Sequence, residues 1–266
     1  MQTGAITQYI DVAQLVLYAF WIFFAGLIFY LHREGKREGY PLDSDRTALS
    51  GGKVQVVGFP GLPAPKTYLL PHGGSVEVPR KEAPAGPLPA RPAFRSPGAP
   101  LEPTGDPMVD GLGAAAYAER EDVPDPTWEG ESKILPMRVV SEYSVAEEDP
   151  DPRGMPVVCL DGKVAGEVVD VWVDRSEMRA LYLEVALAGP ADAGAGVQTR
   201  LLPINFARVS RRPAQVRVSS ILAGQFARVP ALRQPDQVTL LEEDKICAYF
   251  GGGTLYAYPG RREPLL

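Results

Sequence analysis

Val12-Ala13-Gln14-Leu15-Val16-Leu17-Tyr18-Ala19-Phe20-Trp21-Ile22-Phe23-Phe24-Ala25-Gly26-Leu27-Ile28-Phe29-Tyr30-Leu31 carries no charged side chain, and this run decides how the chain is organised. At about 1.5 Å per residue, a helix of roughly 20 residues is about 30 Å long, the thickness of a bilayer's hydrocarbon core. The flanks differ. Asp11 precedes the run, whereas His32, Arg33, Lys36 and Arg37 follow it. Basic residues stay on the cytoplasmic side, so residues 1–11 should lie outside the cytoplasm and everything after the run inside it. Tyr9 and Tyr30 fall at the two headgroup layers, where a half-wet aromatic ring is favoured. Tyr30, Arg33, Lys36, Arg37 and Tyr40 are the expected membrane-interface residues, with anionic lipids as their partners. A cleaved signal peptide would need a basic start, a shorter apolar core and a small-residue cleavage site. Residues 1–11 contain no Lys or Arg, and Phe29-Tyr30-Leu31 is a poor cleavage context. A buried core helix seldom asks for so long an uncharged run. The reading is a single-pass anchor over residues 12–31.

The remainder is long enough for one domain of ordinary size. Its 27 basic and 33 acidic residues give a net charge of −6, which argues against nucleic acid as the main partner. Cys159 and Cys247 read as free thiols, and His32 and His72 have no zinc spacing. No dinucleotide fingerprint, Walker loop or nucleophile elbow occurs. Gly251-Gly252-Gly253 comes nearest to a phosphate loop, but no lysine or helix start follows it, so it reads as a turn. Nothing here marks an enzyme.

Residues 32–107 are rich in Pro and Gly, with prolines every few residues from Pro60 to Pro103. Each proline removes a backbone donor and fixes φ, so neither a helix nor a central strand persists. Val54–Phe59 and Lys66–Leu70 nevertheless have strand-like apolar character. An extended segment lying on the surface of partner subunits accounts for both features. An acidic stretch follows, from Glu119 to Asp151, opposed within it only by Arg120, Lys133 and Arg138. Closely spaced carboxylates repel one another, and such a surface is able to gather protons.

Residues 108–258 read as a mainly β domain. Strands are expected at 157–160, 166–174, 181–187, 201–204 and 215–218, with Val169, Val171 and Val173 sharing one face. Short strands at this spacing point to a small antiparallel barrel. Thr239-Leu240-Leu241-Glu242 has the form of a capping box, so a helix should run over about 240–250 and stop at Gly251. Residues 259–266 form a tail.

The chain resembles the H subunit family of the purple-bacterial photosynthetic reaction centre. The resemblance rests on Phe20-Trp21-Ile22-Phe23 with Ala25-Gly26-Leu27-Ile28, Arg37-Glu38-Gly39-Tyr40-Pro41-Leu42, Pro65-Lys66-Thr67 with Leu70-Pro71-His72-Gly73, and Gly105-Asp106-Pro107-Met108. It continues through Trp172-Val173-Asp174, Leu183-Glu184-Val185, Val238-Thr239-Leu240 and Glu242-Glu243-Asp244-Lys245. It implies a PRC-barrel and a single-pass protein of the bacterial inner, intracytoplasmic membrane, with a periplasmic N-terminus. The implied role is non-catalytic. The subunit caps the L and M subunits on the cytoplasmic side and conducts protons to the secondary quinone. It binds no pigment itself, while the complex holds bacteriochlorophyll, bacteriopheophytin, quinones, non-haem iron and a carotenoid. An antenna and a cytochrome subunit are further implied partners.

The resemblance also assigns residues. Asp174 and Glu177 match a carboxylate pair after the Trp-Val motif, and the Glu is the family's buried group near the secondary quinone. Read without the resemblance, Glu177 is an ordinary exposed turn residue. The family's arginine four positions on is replaced by Leu181, so either Arg179 supplies that charge or the ion pair is missing. Asp170 joins the implied proton-transfer set. Two histidines that some members carry before Lys133-Ile134-Leu135-Pro136-Met137 fall on Glu129 and Glu131, and the accompanying Asp falls on Thr127. Carboxylates still take up protons but bind soft divalent metals less well than imidazole, so zinc should inhibit weakly. Two other classes compete. One is a tethered enzyme, which lacks a recognisable site. The other is an RNA-associated barrel, supported only by Arg208, Arg211 and Arg212, which a solvated turn explains equally well.

Overall fold

The computed structural model describes residues 4, 6, 11–43, 55–71, 73–79, 88–96, 99–188 and 198–261. Tyr9, Val54, His72 and residues 262–266 lie outside the described residues. The chain forms two compact units, Met1–Leu88 with Pro92–Pro100, and Pro89–Arg91 with Leu101–Leu266.

The first unit is built on helix α1, Val12–Gly35, which continues the apolar run by one further turn. Asp11 caps it by accepting the Gln14 N–H at 2.7 Å. None of its residues is buried, and its length and composition suffice to cross a membrane. Apolar side chains on every face of a helix need a hydrocarbon or protein surround, because water would leave all of them exposed.

The end of α1 departs from expectation. Lys36 and Arg37 are buried rather than turned to headgroups. Lys36 donates to the Val57 and Pro60 carbonyls at 2.6 and 2.7 Å. Arg37 donates to the Ala64 and Val78 carbonyls and pairs with Glu34, which also takes Lys66 at 2.7 Å. The physical reason is the proline-rich segment itself. Its carbonyls lack ladder partners, and two cations satisfy several at once. Lys36 also stands 5.2 Å from the Tyr40 ring centre. Of the expected interface set, Tyr30 and Arg33 remain exposed. The strand-like sequences do pair, as Leu42–Asp43 with Gln55–Val56 and as a hairpin of Lys66–Leu69 with Ser75–Val78.

The large sheet of the second unit has, among the described residues, seven strands: β1 (Ile134–Pro136), β2 (Pro156–Val158), β3 (Val164–Asp174), β4 (Arg179–Leu187), β5 (Thr199–Pro203), β6 (Ala207–Arg211) and β7 (Ala214–Val218). Their order is β5-β4-β3-β2-β7-β6, with β1 paired to β3 off this path. All pairs are antiparallel except β7 with β2. The outermost strands, β5 and β6, are consecutive in the chain, joined by the short turn Ile204–Phe206. The core gathers Trp172, Leu183, Leu201, Leu202 and Val216 from the sheet with Ile246, Tyr249 and Phe250 from helix α2, Leu240–Tyr256.

Three local expectations are corrected. Val169 is exposed while Val168, Val171 and Val173 are buried, because a register shift between Glu184 and Val185 on β4 resets the alternation of β3. The basic run at 208–212 is a strand with its turn, not a turn alone. Helix α2 starts on the expected capping box, with Thr239 and Glu242 exchanging hydrogen bonds at 2.9 and 3.2 Å. It then runs through Gly251–Gly253 instead of stopping there. A β-carbon on Gly252 would press on Ala115, and one on Gly253 on Ser220 and Ile221, so these glycines let the helix lie against its neighbours.

Candidate functional site

The acidic stretch reads from sequence as nearly unopposed, yet folding brings cations to it from elsewhere. Arg153 pairs with Asp151 at 2.6 Å, Arg175 with Glu131 at 2.7 Å, and Arg233 with Asp122. The Arg153 guanidinium holds the Asp151 carboxyl below the usual range. Glu129 is exposed on the turn that links Pro126 and Ser132, two residues that bridge each other.

Behind this surface lies a chain of charged groups. Lys133 sits 3.3 Å from Asp125 and 3.4 Å from Asp174. Burial alone would lower the lysine pKa, but these two carboxylates carry it above the ordinary value. Asp174 is 2% exposed. It ends β3 and accepts the backbone N–H groups of Ser176 and Glu177 at 2.8 and 3.0 Å, which folds the β3–β4 turn over it. Met178 completes that turn at φ 53°, a left-handed conformation that non-glycine residues seldom adopt. Glu177 projects from the turn, about half exposed in this chain, and Arg179 meets it at 2.7 Å. The shifted arginine therefore supplies the ion pair that Leu181 does not.

Asp170 stands apart from this chain. It is buried, and it accepts the Val171 N–H at 2.8 Å and the Arg138 guanidinium at 3.0 Å. Arg138 also binds Glu184 and Asp236, and Glu184 accepts the Trp172 indole N–H at 3.0 Å. With its carboxylate so committed, Asp170 is a ligand of Arg138, and among the described residues no hydrogen bond or ion pair joins it to Lys133.

Sequence reasoning missed a second buried cluster. The Tyr182 hydroxyl donates to Glu243 at 2.8 Å and lies 3.9 Å from the Cys247 sulfur. Burial raises the pKa of Glu243 above the usual carboxylate range, and it raises those of Tyr182 and Cys247 as well. Asp125 contributes in the same direction for Glu243, while Arg120 and Lys133 oppose it. The signal was available: Glu243 and Cys247 are one helical turn apart, so they share a face.

The carboxylates of the arrangement span exposed, paired and buried environments, and Lys133 bridges two of them, Asp125 and Asp174. Two family models match the chain. One, described as photosynthetic reaction centre, H-chain N-terminal region, covers residues 4–139, just over half of the chain. The other, the PRC-barrel domain, covers residues 145–221 and so includes strands β2 to β7.

Proposed function

Since the chain belongs to the H-chain family of the photosynthetic reaction centre, we propose that it caps the cytoplasmic side of the L and M subunits. In this reading it also passes protons to the secondary quinone. The apolar surface of α1 meets the partner helices and lipid, the N-terminus is periplasmic, and the second unit covers the quinone side. The pigments, the quinones and the non-haem iron belong to the partner subunits, and the subunit itself is structural rather than catalytic.

One observation carries the proton-transfer part. Asp174 is almost wholly buried, yet it lies within ion-pair distance of Lys133, whose other partner is Asp125 near the acidic surface, and its carboxylate holds the backbone of Glu177. A buried carboxylate that shares Lys133 with Asp125 and sits at the root of the turn that carries Glu177 fits a relay. Glu129 and Glu131 gather protons, Asp125 and Asp174 hold them in turn, and Glu177 delivers them. Arg179 keeps Glu177 in place. Reduction of a quinone by two electrons consumes two protons, so proton delivery limits the second electron transfer when the relay is cut.

The test uses the complex that co-purifies with this chain in mild detergent, identified by near-infrared bands that bleach reversibly in light. Glu177→Gln should slow the second flash-induced electron transfer and its proton uptake, and leave the first transfer unchanged. An unchanged second transfer in both Glu177→Gln and Asp174→Asn would overturn the relay. A colourless preparation of the intact complex would overturn the assignment to L and M.

A further inference from the structure

Strands β6 and β7 and the residues around them line a cavity of about 680 Å³, open to solvent on one side, within the second unit. Arg208, Arg212 and Arg217 line it, together with Ser210, Gln215 and Ser220. Alternation along β6 puts Arg208 and Ser210 on the face opposite the core, Arg212 follows in the β6–β7 turn, and the β6–β7 register sets Arg208 directly across from Arg217 and Ser210 across from Gln215. Like charges facing each other across a ladder destabilise it unless something neutralises them. No carboxylate lines the cavity. Among the described residues, none of the three guanidinium groups has an ion pair or a hydrogen bond to the protein. Asp161, in the chain next to the lining residue Leu160, is turned to the backbone N–H groups of Lys163 and Ala223.

A second observation is independent of the arginines. Ser220 is 3% exposed, and its Oγ is buried without a hydrogen-bond partner. Leaving a buried hydroxyl unsatisfied is costly, and such groups in native proteins ordinarily have a role. Cys159 also borders the space, with its thiol pushed up to about 12 by burial, so it stays neutral beside an anion. Phe206 and Val218 supply apolar wall.

We infer that this cavity binds a phosphoryl-bearing anion. The planar forks of arginine match phosphate oxygens in pairs, and Ser220, whose hydroxyl has no partner in the protein, is among the lining residues. The volume exceeds what a bare phosphate fills and leaves room for the organic body that carries it, with the apolar wall as its contact. Two sources share this chemistry, a soluble phosphate ester and an anionic lipid headgroup.

The experiment titrates the full chain, in a neutral maltoside detergent, with inorganic pyrophosphate and separately with dihexanoyl phosphatidylglycerol. Dihexanoyl phosphatidylcholine serves as the zwitterionic control, and binding is followed by calorimetry. Saturable binding of at least one anionic probe is expected. The Arg208→Gln/Arg217→Gln pair should weaken it roughly tenfold or more, with far-ultraviolet circular dichroism and melting temperature retained. Ser220→Ala should weaken it by a smaller factor. Pyrophosphate binding alone identifies a soluble ligand, and preference for the glycerophospholipid identifies a headgroup. Failure of both probes overturns the inference and makes an acidic protein surface the counter-charge. Binding that survives the double substitution overturns it too.

Discussion

Replacing Gly253 by alanine should destabilise the second unit, whereas replacing Gly251, two positions earlier in the same helix, should stabilise it. Both glycines sit inside α2, where alanine is intrinsically better by about 0.5–1 kcal/mol. At Gly251 the new methyl would have as its nearest neighbour the Ala114 carbonyl oxygen at 3.5 Å, an ordinary contact, so the full gain should appear. At Gly253 it would lie 2.6 Å from the Ser220 carbonyl oxygen and closer still to Ile221. A backbone oxygen cannot rotate away, so helix and sheet must separate locally. Overpacking of this kind costs about 1–3 kcal/mol, or more where backbone is involved, and outweighs the propensity gain. For a unit of this size, about 1 kcal/mol moves the melting temperature by roughly 2–4 °C. Gly251→Ala should therefore melt a few degrees above the parent and Gly253→Ala several degrees below it. Both are read by thermal unfolding of the full chain in detergent, followed by far-ultraviolet circular dichroism. A Gly253→Ala protein as stable as the parent would refute the close approach, and so would equal losses at both positions.

Three further outcomes are expected. The pKa of Glu243 is raised in the folded state, so its favourable contribution is complete only below the unfolded carboxylate value and fades as pH rises through the folded one. Glu243→Gln keeps an acceptor for Tyr182 and should stabilise the protein at pH 8 but hardly at pH 4; an equal offset at both pH values in urea unfolding would contradict this. Arg138 neutralises the buried Asp170 and Glu184, and removing one partner of a buried pair costs about 3–5 kcal/mol; solvent screening of a side chain that is 39% exposed reduces this to about 1–3 kcal/mol for Arg138→Met. Arg138→Lys should recover part of the loss, and Arg233→Ala, which breaks an exposed pair, should change stability much less. Zinc should inhibit proton uptake only weakly, because carboxylates stand at Glu129 and Glu131, Arg175 already holds Glu131, and no metal-ligating cluster occurs among the described residues. Strong inhibition at low zinc concentration, lost in Glu129→Gln, would refute that expectation.

What was legible in the sequence was what depends on local pattern. The anchor needed only an uncharged run of sufficient length, and the start of α2 needed only Thr239 and Glu242 at capping-box spacing, so both could be read without knowing the fold. The strands of the barrel were legible where valines and leucines cluster. They became illegible at Val169, where a bulge whose cause lies in the pairing with β4 inverts the faces that alternation would assign. Arg208–Arg212 failed for the opposite reason. A strand with arginines on its outer face lacks the apolar signature by which strands are recognised, and only its pairing with Ala214–Val218 reveals it.

The candidate site follows the same division. Asp174 and Glu177 were singled out through the resemblance, because their spacing after Trp172-Val173 is local. Glu243, Tyr182 and Cys247 were not found, although two of them share a helical face, because the third comes from a strand 61 positions away from Glu243. Charge reading from composition erred in a related way in both units. The acids at 119–151 seemed unopposed, and Lys36 and Arg37 seemed free for lipid, because a sequence displays side-chain charge but conceals which backbone carbonyls and distant cations will need or supply a partner. Proline-rich chain makes that concealment worse. Its carbonyls outnumber its donors, so it draws in cations that a hydropathy reading would leave at the membrane surface. The ionisable groups of this chain are thus what composition predicts least well, since folding has already paired them.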